Sequence, residues 1–337
     1  MSESAEGNVG KKSYVLVTAA WNEEAYIREP LRSVVAQILP PRKWVIVSDA
    51  STDGTDEIVR EYAKRYPFIQ LYRMPERHKR NWAAQVDSIN AGCEQLRGLP
   101  FDFVGNLDAD ISLEPDYFER LIGRFEQDPR LGLAGGSIYE EHGGKFEPRL
   151  LNRVTSVAHG VQFFRRDCFQ AFGGYLPLPY GGPDWHAEVT ARMNGWAVRS
   201  FPDLHVFHHR PSGTAEGRLR SWYRQGLMDY SLGSHPAFEI AKISVRLRGR
   251  PPVVGALVRL SAFTIASIRR MPRPVSNQFI RFLRAEQMAR LLPFGGGRLR
   301  RAAHNLATDG EGTQERSNLL RTNKFAAETG TEKELKV

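Results

Sequence analysis

Cysteine is scarce in this sequence, and long apolar runs are missing. Cys93 and Cys168 lie far apart among the 337 residues and form no CxxC pair. We therefore expect two buried free thiols in a reducing compartment rather than a disulfide or a zinc site. The longest nearly apolar stretch, residues 251–268, is interrupted by Arg259 and falls short of the roughly 20 residues that span a bilayer. This short apolar stretch, together with a mean hydropathy of −0.42 for the whole chain, excludes a polytopic membrane protein.

Large apolar side chains are also rare at both ends of the chain. Residues 1–12 are polar and lack the apolar stretch of a signal peptide, so we expect a disordered N-terminus that does not direct the chain out of the cytosol. Residues 303–337 are similarly polar and predict a disordered tail. The whole chain, at 41% hydrophobic and 25% charged residues, has the composition of an ordinary globular protein.

Acidic residues almost disappear from one segment. Residues 242–301 contain 14 Lys or Arg against a single acid, Glu286, which gives this segment a net charge of +13 in a protein of net charge +9. Arginines alternate there with apolar residues, a pattern that fits short helices lying on an anionic membrane surface. An ordinary solvated helical subdomain is an alternative, because neither apolar segment forms a clean helical stripe. Nucleic-acid binding is a third interpretation, although no known base-stacking or helix-turn-helix signature is present.

Short β-rich runs alternate with helical spacing from Tyr14 onward for about two hundred residues. This alternation predicts a largely parallel sheet with helices on both faces, and ligands in such sheets bind beyond the carboxyl ends of the strands. The predicted strands are residues 14–18, 44–49, 68–72, 101–107, 131–139 and 196–201.

Polar clusters follow three of these strands. Residues 22–24 follow the first, residues 49–55 follow the second, and Asp108-Ala109-Asp110 follows the fourth. Two carboxylates so close together repel each other unless a cation lies between them, so the pair suits a divalent Mn²⁺ or Mg²⁺ ion. Such an ion would clamp a diphosphate and stabilise the charge that develops as a nucleoside diphosphate leaves.

These motifs, taken in order, resemble the opening of the family 2 glycosyltransferases. The resemblance rests on residues 14–24, 45–55 and the Asp-Ala-Asp, and it covers about residues 14–230. It implies an α/β GT-A fold, the Rossmann-like mixed sheet of nucleotide-diphospho-sugar transferases. It also implies a nucleotide-sugar donor, a divalent cation and inversion at the anomeric carbon. We expect a GT-A catalytic domain over residues 13–235 and a basic, helical, membrane-surface region over residues 236–302.

The resemblance also assigns roles to residues of this sequence. Asp110 would be the principal metal ligand, and Asp108 would approach the ribose or the metal. Ser48 and Ala50 stand where Asp and Gly are commoner in the family, which leaves the nucleotide base open, with a UDP-sugar as the first expectation. The residues that would face the nucleoside are Thr18, Ala20, Asn22, Glu23 and Asp49.

Asp184 occupies the position of the family's catalytic base. It stands eleven residues before Gly195-Trp196, and Pro183 replaces the glutamate that usually precedes it. The alternative is that Asp184 merely caps a helix that begins with this proline. Proton transfer that is concerted with cleavage of the glycosidic bond does not require a strong base, so both roles are compatible.

A histidine pair extends the expected site. His208 and His209 follow the strand predicted at residues 196–201, and imidazole is compatible with Mn²⁺. Because neighbouring side chains on a strand point to opposite faces, at most one of the two would face the metal. Arg210 is a candidate for the diphosphate, while His186 and Glu188 are secondary candidates with structural or acceptor-facing roles.

The predicted function is an inverting, metal-dependent transfer of a sugar from a nucleotide diphosphate to a hydroxyl of a glycan or lipid-linked glycan. It would take place at the cytoplasmic face of the cell membrane, in surface polysaccharide assembly. A polyprenyl-phosphate sugar synthase is the alternative within enzymes, because its phosphate acceptor needs no base. A basic nucleic-acid-binding protein is the alternative outside enzymes, although it leaves the strand-end carboxylates unexplained.

Overall fold

Strand and helix units follow each other through the first third of the chain. The computed structural model describes residues 12–75, 84–149, 153–210, 217–246 and 253–291. The first seven elements are β1 (Tyr14–Ala20), α1 (Arg28–Val35), β2 (Lys43–Ser48), α2 (Thr55–Arg65), β3 (Ile69–Arg73), α3 (Ala84–Glu94) and β4 (Phe103–Asn106). β1 pairs in parallel with both β2 and β4, and β2 pairs in parallel with β3.

The rest of the sheet mixes parallel and antiparallel pairs. The elements that follow along the chain are β5 (Ile111–Leu113), α4 (Tyr117–Gln127), β6 (Leu131–His142), β7 (Lys145–Pro148), β8 (Phe163–Arg165), α5 (Arg166–Phe172), α6 (Pro183–Met193) and β9 (Ala197–His208). The strand order is β3-β2-β1-β4-β8-β6-β9-β5, with β7 on β6. β8 lies antiparallel to both β4 and β6, whereas β9 runs parallel to β6.

The core lies on both faces of this sheet. β1 and β2 are buried along nearly their whole length, as expected for strands covered by helices on each side. Tyr14, Phe118 and Phe163 pack against one another with ring centroids 4.5–5.7 Å apart. Their packing holds the sheet against α4.

The predicted fold class is confirmed, and the strand predictions hold for six segments. Each strand predicted from residues 14, 44, 68, 101, 131 and 196 overlaps an observed strand. The parallel pairing expected from strand–helix alternation holds for β1 to β4 but fails at β8, which pairs antiparallel with both β4 and β6. Helix α5 ends at Gly173, which has a left-handed φ of 79°.

Four helices follow the last strand: α7 (Arg218–Ser231), α8 (Pro236–Arg246), α9 (Val254–Ile268) and α10 (Asn277–Leu291). They are not separate from the sheet domain, because α10 packs on α6. The Phe279 ring stacks on the His186 ring with centroids 4.8 Å apart. Glu286 accepts two hydrogen bonds from the Arg192 guanidinium, at 2.8 and 3.2 Å.

A buried ion network holds α7, α8 and α9 together. Arg259 of α9 donates its Nε–H to Asp229 of α7 at 2.7 Å, and Lys242 of α8 lies 3.0 Å from the same carboxylate. Both Arg259 and Asp229 are buried. A buried charge is tolerated when it is paired and hydrogen-bonded, so these contacts explain the arginine that interrupts the apolar stretch 251–268.

Three further sequence expectations meet the structure here. Cys93 and Cys168 are free thiols, and burial raises the pKa of each to about 12. In the part of the chain that the structure describes, every helix is too short or too polar to cross a membrane. The expected disordered ends, residues 1–12 and 303–337, lie outside the described residues apart from Lys12, which is 3.5 Å from Asp102.

Candidate functional site

The loops that follow β1 and β2 are tied to each other by hydrogen bonds. The Asn22 backbone N–H donates to Ser51 Oγ at 3.1 Å, and the Asn22 side chain accepts from the Thr52 N–H at 2.8 Å. Glu23 donates its backbone N–H to Thr55 Oγ1 at 2.8 Å. Asn22 has a left-handed φ of 53°, a conformation that asparagine tolerates better than most residues. The two loops therefore form one fixed edge beyond the sheet.

Thr18, Ala20 and Asp49 have different positions along this edge. Thr18 is fully buried, and its hydroxyl accepts a hydrogen bond from the Trp44 indole at 2.9 Å. This side chain is committed to the core, which corrects the expectation that it faces the nucleoside. Ala20 ends β1 and accepts the backbone N–H of Asp49 at 2.9 Å, so Asp49 is held directly at the mouth of the two loops.

The Asp-Ala-Asp turn lies between β4 and β5, beside the first two loops. The Asp108 backbone N–H donates to the Gly160 carbonyl at 3.0 Å, and Asp108 Oδ1 lies 3.9 Å from His159 Nδ1. Gln85 donates to the same oxygen at 3.3 Å. A Cβ at position 160 would lie 2.4 Å from Asp108 Oδ2, so glycine is required there for the carboxylate to keep its position.

Asp110 contacts two cationic groups from the end of β9. Its carboxylate lies 3.4 Å from His208 Nε2 and 3.2 Å from Arg210 Nε. Arg210 is also ion-paired with Glu23 and lies over the Tyr26 ring, 4.9 Å from its centroid. Arg210 thus links the β1 loop to the Asp-Ala-Asp turn, and two carboxylates from opposite sides of the site share its charge.

The neighbouring histidines have separate environments. His208 lies opposite Ile111 in the β5–β9 pair and faces Asp110. The His209 ring is instead within hydrogen-bond distance of Ser112 Oγ, at 2.7 Å, and contacts the Phe146 ring edge-on. The alternation expected from the sequence therefore holds, and of these two rings His208 is the one directed at the Asp110 carboxylate.

The acidic groups of the site alter one another's protonation. Burial raises the pKa of Glu23 to about 7, with Arg210 opposing the rise and Asp110 and Asp108 adding to it. Burial raises the pKa of Asp108 as well; His159 opposes this rise, while Asp110 reinforces it. For His208, burial favours the neutral ring, but the hydrogen bond and charge of Asp110 outweigh it and raise its pKa. A cation would be stabilised here.

Asp184 joins this cluster from the helix α6. It is the second residue of the helix, after Pro183, and Gly182 precedes them with a left-handed φ of 88°. Its negative charge is close enough to raise the pKa of Asp108 further. The Asp184 carbonyl accepts a hydrogen bond from Gln162 at 3.2 Å, and Gln162 in turn accepts the hydroxyl of Tyr175 at 2.7 Å. A buried polar network thus holds the start of α6.

His186 and Glu188 have structural surroundings. His186 stacks on Phe279, and burial lowers its pKa to about 4. Glu188 is buried and accepts hydrogen bonds from Ser156 Oγ and the Val157 N–H, both at 2.8 Å. These contacts favour the structural role among the two that the sequence left open for them.

The side chains of this site carry donor atoms that suit a divalent cation, but these atoms are not arranged as a complete set of ligands. Across the described ranges, no three His, Cys, Asp or Glu side chains already converge as a ligand cluster. Asp110 and His208 nevertheless offer a carboxylate oxygen and an imidazole nitrogen, and the second carboxylate of Asp108 raises the local negative charge. Oxygen and imidazole donors are those that Mn²⁺ accepts.

Sequence reasoning missed three residues that the structure brings to the site. His159 and Gln85 approach Asp108, and Tyr26 lies under the guanidinium of Arg210. Gln85 sits on a helix and Tyr26 in a loop, and their proximity depends on how those elements pack around the sheet.

Comparison with known proteins finds a family match for part of the chain. Residues 15–176, just under half of the chain, match the model for glycosyl transferase family 2, and this part of the chain is a family 2 glycosyltransferase domain. A poly-β-1,6-N-acetyl-D-glucosamine synthase of Staphylococcus epidermidis is 29% identical over 144 residues, which are 43% of this chain and 30% of that enzyme. The chain therefore spans less than a third of the length of this relative.

Solved structures agree on the fold. A Pyrobaculum calidifontis mannosyltransferase, PcManGT, in complex with GDP-Man and Mn²⁺, matches with a TM-score of 0.53 at 18% identity, over 89% of this chain and 87% of its own. TarS 1-349 of S. aureus, in complex with UDP-GlcNAc, matches with a TM-score of 0.50 at 13% identity, over 87% and 90%. The architecture is thus the GT-A fold, and the family match favours an enzyme over a nucleic-acid-binding protein.

Proposed function

We propose that this protein is an inverting, metal-dependent glycosyltransferase that moves a sugar from a nucleotide diphosphate to a hydroxyl of a glycan or lipid-linked glycan. The observation that carries the proposal is the gathering of Glu23, Asp108, Asp110 and Asp184 from three separate parts of the chain into one electrostatic cluster. Carboxylates brought together in this way repel one another unless a cation lies among them. In a family 2 glycosyltransferase domain, such a cation would stabilise the leaving nucleoside diphosphate.

On the donor side, the edge formed by the β1 and β2 loops would receive the nucleoside. Asp49 and Asn22 lie on this edge, and Asn22 is already fixed by its bonds to the second loop. A UDP-sugar is the proposed donor, and binding of UDP-GlcNAc by TarS supports this choice. Arg210 would contact the diphosphate, because its guanidinium points between Glu23 and Asp110.

Asp110 and His208 would hold the divalent cation, with Asp108 beside them. When bound, the cation would supply positive charge to the leaving diphosphate. These residues would determine the position of the cation. The β4–β5 turn presents both aspartates, and β9 brings His208 to the same place. Mn²⁺ in the PcManGT complex supports a metal in this fold.

On the acceptor side, Asp184 would take the proton from the attacking hydroxyl. It lies in the first turn of α6, at the positive end of the helix dipole. The network of Gln162 and Tyr175 fixes the backbone from which Asp184 projects. The acceptor would be a surface glycan or its lipid-linked precursor at the cytoplasmic face of the membrane, and the resemblance to a polysaccharide synthase supports this placement.

The Asp184→Asn substitution tests the base. We expect kcat for transfer to fall about 10²–10⁴-fold, because the amide cannot accept the proton, while the Kd for UDP stays unchanged. A panel of nucleotide sugars, screened for Mn²⁺-stimulated release of nucleoside diphosphate, first identifies the donor. Isothermal titration with UDP and transfer assays then compare the variant with the unchanged protein.

Asp167→Asn is the matched control, since Asp167 is exposed and is likewise the second residue of a helix, α5. It should leave transfer and UDP binding unchanged. A collapse of UDP affinity in Asp184→Asn would remove the residue from the role of base. Full transfer activity in that variant would instead favour a phosphate acceptor, as in a polyprenyl-phosphate sugar synthase.

A further inference from the structure

Helix α9 exposes a continuous uncharged face. The exposed side chains on this face recur with helical periodicity, and none carries a charge; we name them the α9 face: Val254, Leu257, Ser261, Thr264, Ile265 and Ile268. Leu257 is 55% exposed and Ile268 is 76% exposed. The opposite side of α9 carries buried Ala262, Phe263 and Ala266. The helix is therefore apolar nearly all round, a pattern typical of helices that are covered on every side.

The acidic groups of the surrounding helices are neutralised internally. Helices α7 to α10 contain three carboxylates, and each one is paired within the protein: Asp229 with Arg259 and Lys242, Glu239 with Lys242, and Glu286 with Arg192. The side chains of Asp229 and Glu239 are almost fully buried. No carboxylate of these four helices is therefore left to oppose the exposed arginines of this part of the chain.

Exposed arginines lie at both ends of the α9 face. Arg269 and Arg270 directly follow the helix, and both are exposed. α7 runs alongside α9 in the same direction, because Trp222 packs at Gly255 and Gly226 packs at Arg259. The start of α7, with exposed Arg218 and Arg220, therefore lies near the start of α9.

We propose that the α9 face docks on an anionic lipid bilayer, with its aliphatic side chains entering the interface and the arginines at either end contacting lipid phosphates. Aliphatic groups between basic residues are the composition of helices that lie in the plane of a membrane surface. Each basic residue near an anionic surface strengthens binding by roughly 1 kcal/mol, or about fivefold. An anionic bilayer matches both the aliphatic side chains and the positive charge of this surface.

Charge argues against the other occupants. Two copies meeting through this face would bring arginines against arginines whether the two helices ran parallel or antiparallel, and like charges repel. A nucleic acid would meet the arginines but not the stripe, since Val254, Leu257 and Ile268 offer no aromatic ring for stacking on bases.

Docking at the α9 face would also serve the proposed function. α10 connects this helical part to α6 through the Arg192–Glu286 ion pair and the Phe279–His186 stack, and α6 carries Asp184. A bilayer under the α9 face would thus present lipid-linked acceptors to a site held in a defined position. This last step rests on the proposed function, whereas vesicle binding is measured without any turnover.

Sedimentation with lipid vesicles tests the proposal. We expect the full-length protein to sediment with vesicles of phosphatidylcholine and phosphatidylglycerol at low salt, and not with phosphatidylcholine alone. The Leu257→Ser/Ile268→Ser double variant should weaken binding at least about tenfold, because it removes the inserting aliphatic groups. Arg269→Gln/Arg270→Gln should weaken it about 25-fold and reduce its dependence on salt.

Ile38→Ser is the matched control, since Ile38 is 58% exposed but lies on the catalytic domain; it should bind vesicles as the unchanged protein does. Circular dichroism and thermal melting check that each variant folds, and release of UDP from a soluble donor should remain unchanged. Failure of the unchanged protein to bind anionic vesicles, or unaltered binding by the serine variant, would overturn the proposal. So would a dimer in analytical ultracentrifugation that the serine variant dissociates, because it assigns the face to a second copy.

Discussion

Glu188 shows how strongly a single buried residue of the site helix affects the fold. It lies one turn after Asp184, so the two side chains share a side of α6. Its carboxylate accepts two hydrogen bonds at 2.8 Å and lies 3.6 Å from Arg192. Burial nevertheless raises its pKa from 4.5 to about 7, more than Arg192 and the hydrogen bonds lower it. The charged form is therefore unfavourable in the folded protein.

The pH dependence of stability follows from this shift. Between pH 4.5 and about 7 the folded state binds more protons at Glu188 than the unfolded state does, so stability falls as pH rises through this window. We expect the free energy of unfolding of Glu188→Gln to fall about 2–3 kcal/mol less than that of the unchanged protein over the same range. Urea denaturation across the window measures both.

Glu57→Gln is the control for this experiment, because Glu57 is 70% exposed and pairs with Arg60 on the surface. Its pH profile should coincide with that of the unchanged protein. If Glu188→Gln and the unchanged protein showed parallel profiles, Glu188 would not be the buried carboxyl described here.

The position of a residue could be predicted from the sequence where a neighbouring element of the chain determines it. Asp108 and Asp110 directly follow a buried strand, so their place at the edge of the sheet was accessible from sequence. The burial of Thr18 was not, because it depends on the Trp44 indole of the neighbouring strand. The contact of Arg210 with Glu23 joins residues 187 positions apart, and no local pattern reports such a distance.

At the scale of elements, close packing of α7 on α9 depends on one glycine. A Cβ at Gly226 would lie 2.2 Å from the Arg259 carbonyl oxygen, far inside van der Waals contact. Because the obstacle is backbone, it cannot turn aside as a side chain can. The helices thus approach closely enough for Arg259 to reach both Asp229 and Gln225.

Gly226→Ala should therefore destabilise the protein. We expect the free energy of unfolding to fall by about 1–3 kcal/mol, the usual cost of forcing extra volume into a packed interface, as measured by urea denaturation. The control is Gly123→Ala in α4, where an added Cβ meets nothing within 4 Å; there the helix should gain up to about 1 kcal/mol. Equal effects at the two glycines would contradict the close approach of α7 and α9.

The strands that sequence could place were those within buried apolar runs. β1, β2 and β6 combine buried apolar runs with turn residues at their ends, which makes their periodicity visible. β8 has three residues and β7 has four, too short for a period to appear, and the antiparallel entry of β8 depends on its partners. Helix α9 gave no clear stripe in sequence because both of its sides are apolar.

For the whole molecule, the separation of charge is the organising feature. The sequence places a net +13 in residues 242–301 and leaves the remainder at −4. Part of this positive charge lies inside the protein, because Arg259 and Lys242 pair with an internal carboxylate. The acidic cluster of the sheet domain and the basic surface of the helices thus suit different partners, a cation with a diphosphate and an anionic bilayer.

The central claim is that the strand-end carboxylates hold a divalent cation for a departing nucleoside diphosphate, and Asp110→Asn tests it most directly. Asp116→Asn, at a half-exposed aspartate before α4 that pairs with Arg120, serves as the control and should behave like the unchanged protein. The measurement is Mn²⁺-dependent release of UDP from the donor sugar, with circular dichroism to check the fold. The account predicts a loss of about 100-fold or more in Asp110→Asn; normal Mn²⁺-stimulated release by that variant would contradict it.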